Sequence, residues 1–237
     1  MTGLYLYGIV PAAVGDAINA EGLHDRPVRV VAHGAIGALT SEAGEDELVG
    51  RRRELLRHAE VIDHALEHGP VLPLQFGTLA DDDADVVEGL LGPRQAELEA
   101  LLDQVAGCVE VRLRGYYEEQ AVLQEIVAEH PELREVGTSM GERLRAGERI
   151  AQALEAKRDE DADAIITRLA PLARDVVQEA PAVEMMAVNA AFLLDEGSLS
   201  RFDDAVRAVG SELESRMRLK YVGPVPPASF VDLTLSG

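Results

Sequence analysis

Short strand-forming runs alternate with amphipathic helical stretches along this chain, and no apolar run approaches the ~20 residues that span a bilayer. Leu4-Tyr5-Leu6-Tyr7-Gly8-Ile9-Val10 is rich in strand formers and stops at Pro11. Val28 to Val31 and Ala35 to Leu39 read as two more strands, with a turn at His33-Gly34. From Glu47 to His68, the residues Leu48, Leu55, Ala59, Ile62 and Leu66 fall on one helical face, and Gly69-Pro70 stops that helix. Val71 to Phe76 is a short strand in which Pro73 predicts an edge or a bulge. Asp81 to Asp85 place negative charge at the positive end of the next helix dipole, and Gly92-Pro93 breaks or kinks that helix.

A second cycle opens at Val109 to Gly115, which alternates like a half-buried strand. Helices are expected over about 118–129, 141–157 and 161–179, with His130-Pro131 separating the first two and Pro171 kinking the third. Met185 to Leu194 reads as strand. Ser198 to Arg218 reads as a helix that Ser198 can cap, with Leu199, Phe202, Val206, Val209 and Leu213 as its stripe. A strand from Leu219 leads into a tail whose Gly223-Pro224 and Pro226-Pro227 pairs forbid regular structure. The order is that of an α+β protein. At ~100–200 residues per domain, 237 residues suit two domains. The similar openings Leu4 to Gly8 and Val111 to Gly115 hint at duplication on two matched residues.

Charge narrows the function. Acidic residues outnumber basic ones 43 to 22, and the resulting net charge of −21 repels nucleic acids and anionic lipid headgroups. The densest basic stretch, Arg51-Arg52-Arg53 with Arg57, shares its helix with Glu47, Glu54 and Glu60 and reads as a solvated mixed-charge face. Only Lys157 and Lys220 are lysines, a bias that a GC-rich genome and a saline habitat explain equally well. The one cysteine, Cys108, forms no intrachain disulfide and sits at the start of an apolar run, as a small core residue does. Met1 to Tyr5 carries no basic region ahead of an apolar stretch, so a signal peptide is not expected and a cytoplasmic location is.

Catalytic motifs fail when tested. Gly137-Thr138-Ser139-Met140-Gly141 has the nucleophile-elbow spacing, but the preceding Pro131 to Val136 is too polar for a buried strand. All six histidines also precede Ser139, the wrong chain order for that triad, so the segment reads as a loop capping the helix near Gly141. Asp81, Asp83 and Asp85 mimic a calcium loop, yet Val86 and Gly92 stand where its Gly and Glu belong. His64 and His68 are four apart on a helix, as metal ligands are, with no further ligand expected on that face. No catalytic residue, cofactor, metal or small-molecule substrate is therefore expected.

Several segments, taken in order, resemble the gas vesicle GvpF/GvpL family. They are Leu4 to Val10, His58 through Val61 to Val71-Leu72-Pro73-Leu74-Gln75-Phe76-Gly77-Thr78, Val111-Arg112-Leu113 with Tyr116, Asn189 to Asp195 with Phe202, and Tyr221 to Phe230. The resemblance implies an N-terminal α+β domain over 1–107 and a C-terminal modified ferredoxin-like domain over 108–222, with a helical insertion at about 118–157. The tail, 223–237, is expected to pack between the domains. The family's role implies a gas vesicle accessory or minor structural protein, needed for assembly and located in the cytoplasm and on the vesicle. Its expected partners are the apolar major shell subunit and other accessory gas vesicle proteins. An enzyme with an unrecognised site on the ferredoxin-like domain is the alternative. Two partner surfaces are candidates. One is the edge strand Val71 to Phe76. The favoured one is the insertion, through Val122, Ile126, Glu142, Leu144, Glu148, Ile150 and Leu154.

Overall fold

Strand β1 (Leu4–Pro11) feeds two hydrophobic cores at once. Leu4, Leu6 and Ile9 enter one, and Tyr5, Tyr7 and Val10 enter the other. A strict period of two would separate Leu6 from Ile9. A register shift between Leu6 and Gly8 restores them to one face, as a β-bulge does. In a computed structural model of the chain, residues 3–44, 50–134, 139–231 and 233 are described. They divide into two units, Met1–Glu110 with Pro224–Gly237, and Val111–Gly223.

In the first unit, β2 (Arg29–His33) and β3 (Ile36–Glu42) form a hairpin whose turn needs Gly34 at φ 61°. Helix α1 (Arg52–Leu66) follows, then the two-residue strands β4 (Leu72–Pro73) and β5 (Leu79–Ala80), both paired with β1. The sheet order is β2-β3-β1-β4, with β4 at one edge, where Pro73 costs no ladder bond. Helix α2 (Asp83–Asp85), a π-helical turn (Val86–Leu91) and α3 (Gln95–Val105) bury Leu90, Leu91, Leu98 and Leu102 against the leucine face. Val61, Ile62 and Ala65 of α1 cover the tyrosine face. The interruption between the π-turn and α3 falls at Gly92-Pro93.

The buried face of α1 differs from the one its apolar spacing predicts. Glu54, His58, Val61, Ile62 and Ala65 point inward, while Leu55 is 45% exposed and Leu48 lies outside the described residues. The reason is polar complementarity. Tyr5 Oη lies 2.8 Å from His58 Nδ1, and His58 Nε2 lies 3.1 Å from the Leu74 carbonyl. A carbonyl only accepts, so Nε2 carries the proton and Nδ1 accepts from the Tyr5 hydroxyl. Gly77 N–H donates to the same hydroxyl, and Tyr5, Tyr7 and Phe76 pack their rings around the imidazole. The neighbouring Tyr7 hydroxyl sits 2.8 Å from Ser41 Oγ and accepts the Leu23 N–H. Burial lifts the Tyr5 hydroxyl to about 12 and pushes the His58 imidazole below its ordinary value.

The second unit begins on β6 (Cys108–Tyr117) and continues through α4 (Glu119–Glu129), α5 (Met140–Leu169), β7 (Asp175–Gln178), β8 (Met186–Asp195), α6 (Leu199–Leu213) and β9 (Met217–Val225). Its sheet runs β7-β8-β6-β9. Phe192 of β8 meets Phe202 of α6 at the centre of its core, with ring centroids 5.0 Å apart. Three expectations are corrected. Strand β9 continues through Gly223-Pro224 to Val225, a pair expected to forbid regular structure, with Gly223 taking φ 146°. One unbroken 30-residue helix, α5, replaces the separate helices over 141–157 and 161–179, because the polar 157–160 stretch contains helix formers and no Gly or Pro. Asp175 to Gln178 is strand instead of helix. The β-branched pair Val176-Val177 follows Pro171 and pairs antiparallel with Ala191 and Phe192. In the α6 segment, Ser198 precedes the helix without making a side-chain cap bond. Counted within each unit, the two sheets have the same strand order, second-third-first-fourth, with β1 and β6, the strands whose openings resemble each other, in the same place.

A buried ion pair ties this unit together. Arg216 donates through both guanidinium nitrogens to Asp161 on α5, at 2.6 and 2.7 Å, and the Tyr117 hydroxyl at the end of β6 donates to the same carboxylate at 2.6 Å. Burial by itself would raise the Asp161 carboxyl; the hydrogen bonds from Arg216 and Tyr117 outweigh it and hold the group below its usual range. The described part of the tail groups with the first unit. Ser229 donates its N–H and hydroxyl to the buried Glu110 carboxylate at 2.7 and 2.9 Å, and Val231 and Leu233 pack on the leucine-face core.

Two outcomes follow from these buried groups. Because His58 titrates lower folded than unfolded, the unfolded chain binds more protons just below pH ~6.5. The stability that neutral His58 contributes is whole above that pH and falls as the pH drops towards its folded pKa. Urea unfolding at several pH values should show the gap between wild type and His58→Leu narrowing from pH 7.5 to pH 5; a constant gap would refute the assignment. Asp161→Ala strands the Arg216 guanidinium and should cost about 3–5 kcal/mol by denaturant unfolding, whereas exposed Asp159→Ala should cost about 0.5 kcal/mol or less.

Candidate partner-binding surface

Ser139 starts α5 with a reciprocal cap. Its hydroxyl accepts the Glu142 N–H at 3.2 Å, while the Glu142 carboxylate accepts the Ser139 N–H at 2.9 Å and its hydroxyl at 2.7 Å. Ser139 of the elbow-like Gly137 to Gly141 segment therefore starts a helix, as the reading of that segment as a capping loop expected. Gly137 and Thr138 lie outside the described residues. The helix then presents opposite faces to different surroundings. Ala146, Leu154, Ala162, Ile165 and Leu169 are buried, where α5 packs against α4, the Pro131–Arg134 turn and β8. Met140 and Leu144 face outward at 83% and 64% exposure.

This arrangement sorts the seven candidate residues. Val122 and Ile126 of α4 and Leu154 of α5 are buried, so they form core and offer nothing to a partner of the folded protein. Ile150 is half-buried beside them. Glu142 is exposed but committed to the cap, while Glu148 and Leu144 lie open on the outer face. Met140, which had not been singled out, joins Leu144 one turn away. Its i, i+4 spacing on the polar-flanked start of the helix is the signal that could have found it. The rival segment offers less apolar surface, because Val71, Leu72 and Leu74 are fully buried and only two of its residues are strand.

Other charged groups are internally engaged. Asp82 accepts the Asp85 N–H, Asp85 accepts the Asp81 N–H, and Asp83 pairs with Arg29, so the acidic stretch serves the α2 start. Arg57 pairs with Asp25 and Glu60 on the mixed-charge face of α1. A shallow cleft between Leu23, His24, Asp25, Arg53, Glu54 and Arg57 brings both signs of charge together and no nucleophile. Among the described residues, one group of His, Cys or acidic side chains is placed to hold a metal: His64, Glu67 and His68. Among them also, no helix is long and apolar enough to cross a membrane.

Comparison with known proteins gives a consistent result along the chain. The profile of the family described as gas vesicle synthesis protein GvpL/GvpF matches residues 3–232. Gas vesicle protein F of Nostoc sp. (strain PCC 7120 / SAG 25.82 / UTEX 2576) is 29% identical over 98% of this chain and 99% of its own length. Gas vesicle protein F of Streptomyces sp. (strain CB03234) is 31% identical over 96% of this chain and 99% of its own. The crystal structure of the gas vesicle protein GvpF from Anabaena sp. PCC7120 superposes with a TM-score of 0.87 at 28% identity, covering 99% of this chain and 98% of that one. Both units thus have counterparts in a solved protein, and the chain belongs to the gas vesicle synthesis protein GvpL/GvpF family.

Proposed function

We propose that this protein is a gas vesicle accessory or minor structural component that works in the cytoplasm during vesicle assembly, by binding the apolar shell subunit and not by catalysis. The observation that carries the reading is the family match over 3–232, on a chain that exposes Met140 and Leu144 beside Glu148 at the start of α5. A shell subunit with a large apolar surface aggregates unless that surface is covered, and a partner with a net charge of −21 keeps the pair soluble. Binding to other gas vesicle proteins is part of the same reading. The second unit, with its strands in the order β7-β8-β6-β9 and elements β-α-α-β-β-α-β, supports a modified ferredoxin-like domain over 108–222. In it, the N-terminal half of α5 together with α4 forms the helical addition. Residues 1–107 form the partner α+β domain.

The test is co-purification of the shell subunit with defined variants. Met140→Ser with Leu144→Asp, and separately Glu148→Lys, should weaken capture by ~10-fold or more for the apolar pair and by less for the charge, with unchanged melting curves. Glu142→Lys serves as a folding control: it breaks the cap and should cost about 1 kcal/mol of stability. Capture that survives the first two variants and fails on substitution of exposed Gln75 or half-buried Phe76 would move the site to the first unit.

A further inference from the structure

The sequence-level reason to doubt a metal was that His64 and His68 had no third ligand. The fold supplies one. Glu67 is the C-cap residue of α1, and one potential ligand atom from each of His64, Glu67 and His68 lies within 4.8 Å of the others. We propose that this last turn of α1 is a binding site for a transition-metal dication of the zinc class, with imidazole nitrogens of His64 and His68 and the Glu67 carboxylate as ligands and a fourth position left open.

Three observations support this. First, His68 is already in the ligating tautomer. Its Nδ1 lies 3.0 Å from the His64 carbonyl, which only accepts, so Nδ1 carries the proton and Nε2 presents a lone pair. Metal-bound histidines are oriented by this same kind of backbone bond. Second, His64 Nδ1 lies 3.3 Å from Glu67 Oε2, a contact that a proton holds in the metal-free protein and that a bound cation replaces as the proton leaves. His64 Nε2 is buried without a partner and leaves Nδ1 as the nitrogen on the open side. Third, the site lies at a helix C-terminus, the end of the helix dipole that favours a cation. The two imidazole rings are 4.8 Å apart, and small side-chain rotations bring the three groups to the ~2.0–2.2 Å bonds of zinc. The donor set, two nitrogens and one oxygen, suits zinc, nickel or copper and not calcium or magnesium, which require oxygen cages.

The metal would bridge the last turn of α1 to the residues just before Gly69-Pro70, adding a side-chain clamp to a helix end that closes on backbone bonds from the Glu67, His68 and Gly69 N–H groups. The open fourth position could take water or a donor from a partner protein.

The test uses the full chain and zinc chloride at pH 7.5, followed by competition against a chromophoric chelator. One equivalent should bind with micromolar or tighter affinity and raise the melting temperature, with no effect from equal calcium or magnesium. His68→Ala, an exposed position, should weaken binding ~10-fold or more, as should His64→Ala, and Glu67→Gln should weaken it less. Cobalt in place of zinc should give the visible bands of a low-coordinate site, absent in His68→Ala. Absence of zinc binding at 100 µM, or binding that His68→Ala leaves unchanged, overturns the proposal. Either result leaves the reading of the protein as a shell-subunit partner untouched, because that rests on the family match and on α5.

Discussion

Asp161 brings a carboxylate into the buried face of α5, and the second unit is arranged around the groups that accept it. Tyr117 reaches it from the end of β6, Arg216 from the turn before β9, and Glu125 of α4 approaches the same guanidinium at 3.7 Å. Groups from β6, α4, α5 and the turn before β9 meet around one ion pair. Such a pair contributes little net stability over an apolar replacement, since desolvation offsets most of the attraction. Its effect is on uniqueness. A helix of 30 residues has many registers that bury leucines, and few that also bring Asp161 to both a guanidinium and a phenol.

The first unit applies the same logic with neutral groups. Its sheet is covered on both faces, and the tyrosine face is the one that needs polar partners. Gly22 shows how closely this face is fitted: a methyl group there would lie 2.1 Å from the Tyr7 hydroxyl. The Leu23 N–H, Ser41 and His58 then share the two phenols between them. A purely apolar core would tolerate sliding of α1 by a turn; this one does not, because only His58 places a ring between Tyr5 and the Leu74 carbonyl.

These polar keystones also explain what was legible in the sequence. Strands with strong β-formers, such as Leu4 to Val10 and Met185 to Leu194, stood out because their signal is local. So did the break at Gly92-Pro93. The inward face of α1 did not, because hydrophobic spacing assigned the interior to Leu55 and Ala59, whereas the partners of His58 lie 16 and 53 residues away. The continuity of α5 was hidden by the charged stretch at Lys157 to Glu160, which weakens an apolar pattern without weakening a helix. β7 was hidden because four residues become strand only beside β8. Of the candidate surface, Leu144 could be found from its type and position; that Val122, Ile126 and Leu154 are core depends on α4 and α5 packing against each other, which no window of sequence records. Glu67 escaped notice because no further ligand was expected on the face of His64 and His68, and its approach to them depends on the end of the helix.

The length of α5 has a kinetic side. At 1.5 Å per residue it extends ~45 Å, and its two halves have unequal support. The turns from Asp161 to Leu169 are locked by an ion pair and by contact with β8, while the turns from Met140 to Leu144 are exposed and start on the Ser139–Glu142 cap. Backbone amides along a single helix should therefore exchange with solvent over a steep gradient, slow at the carboxyl end and fast at the amino end. A segment that opens cheaply can adjust to the surface it meets while its other end holds it to a rigid frame.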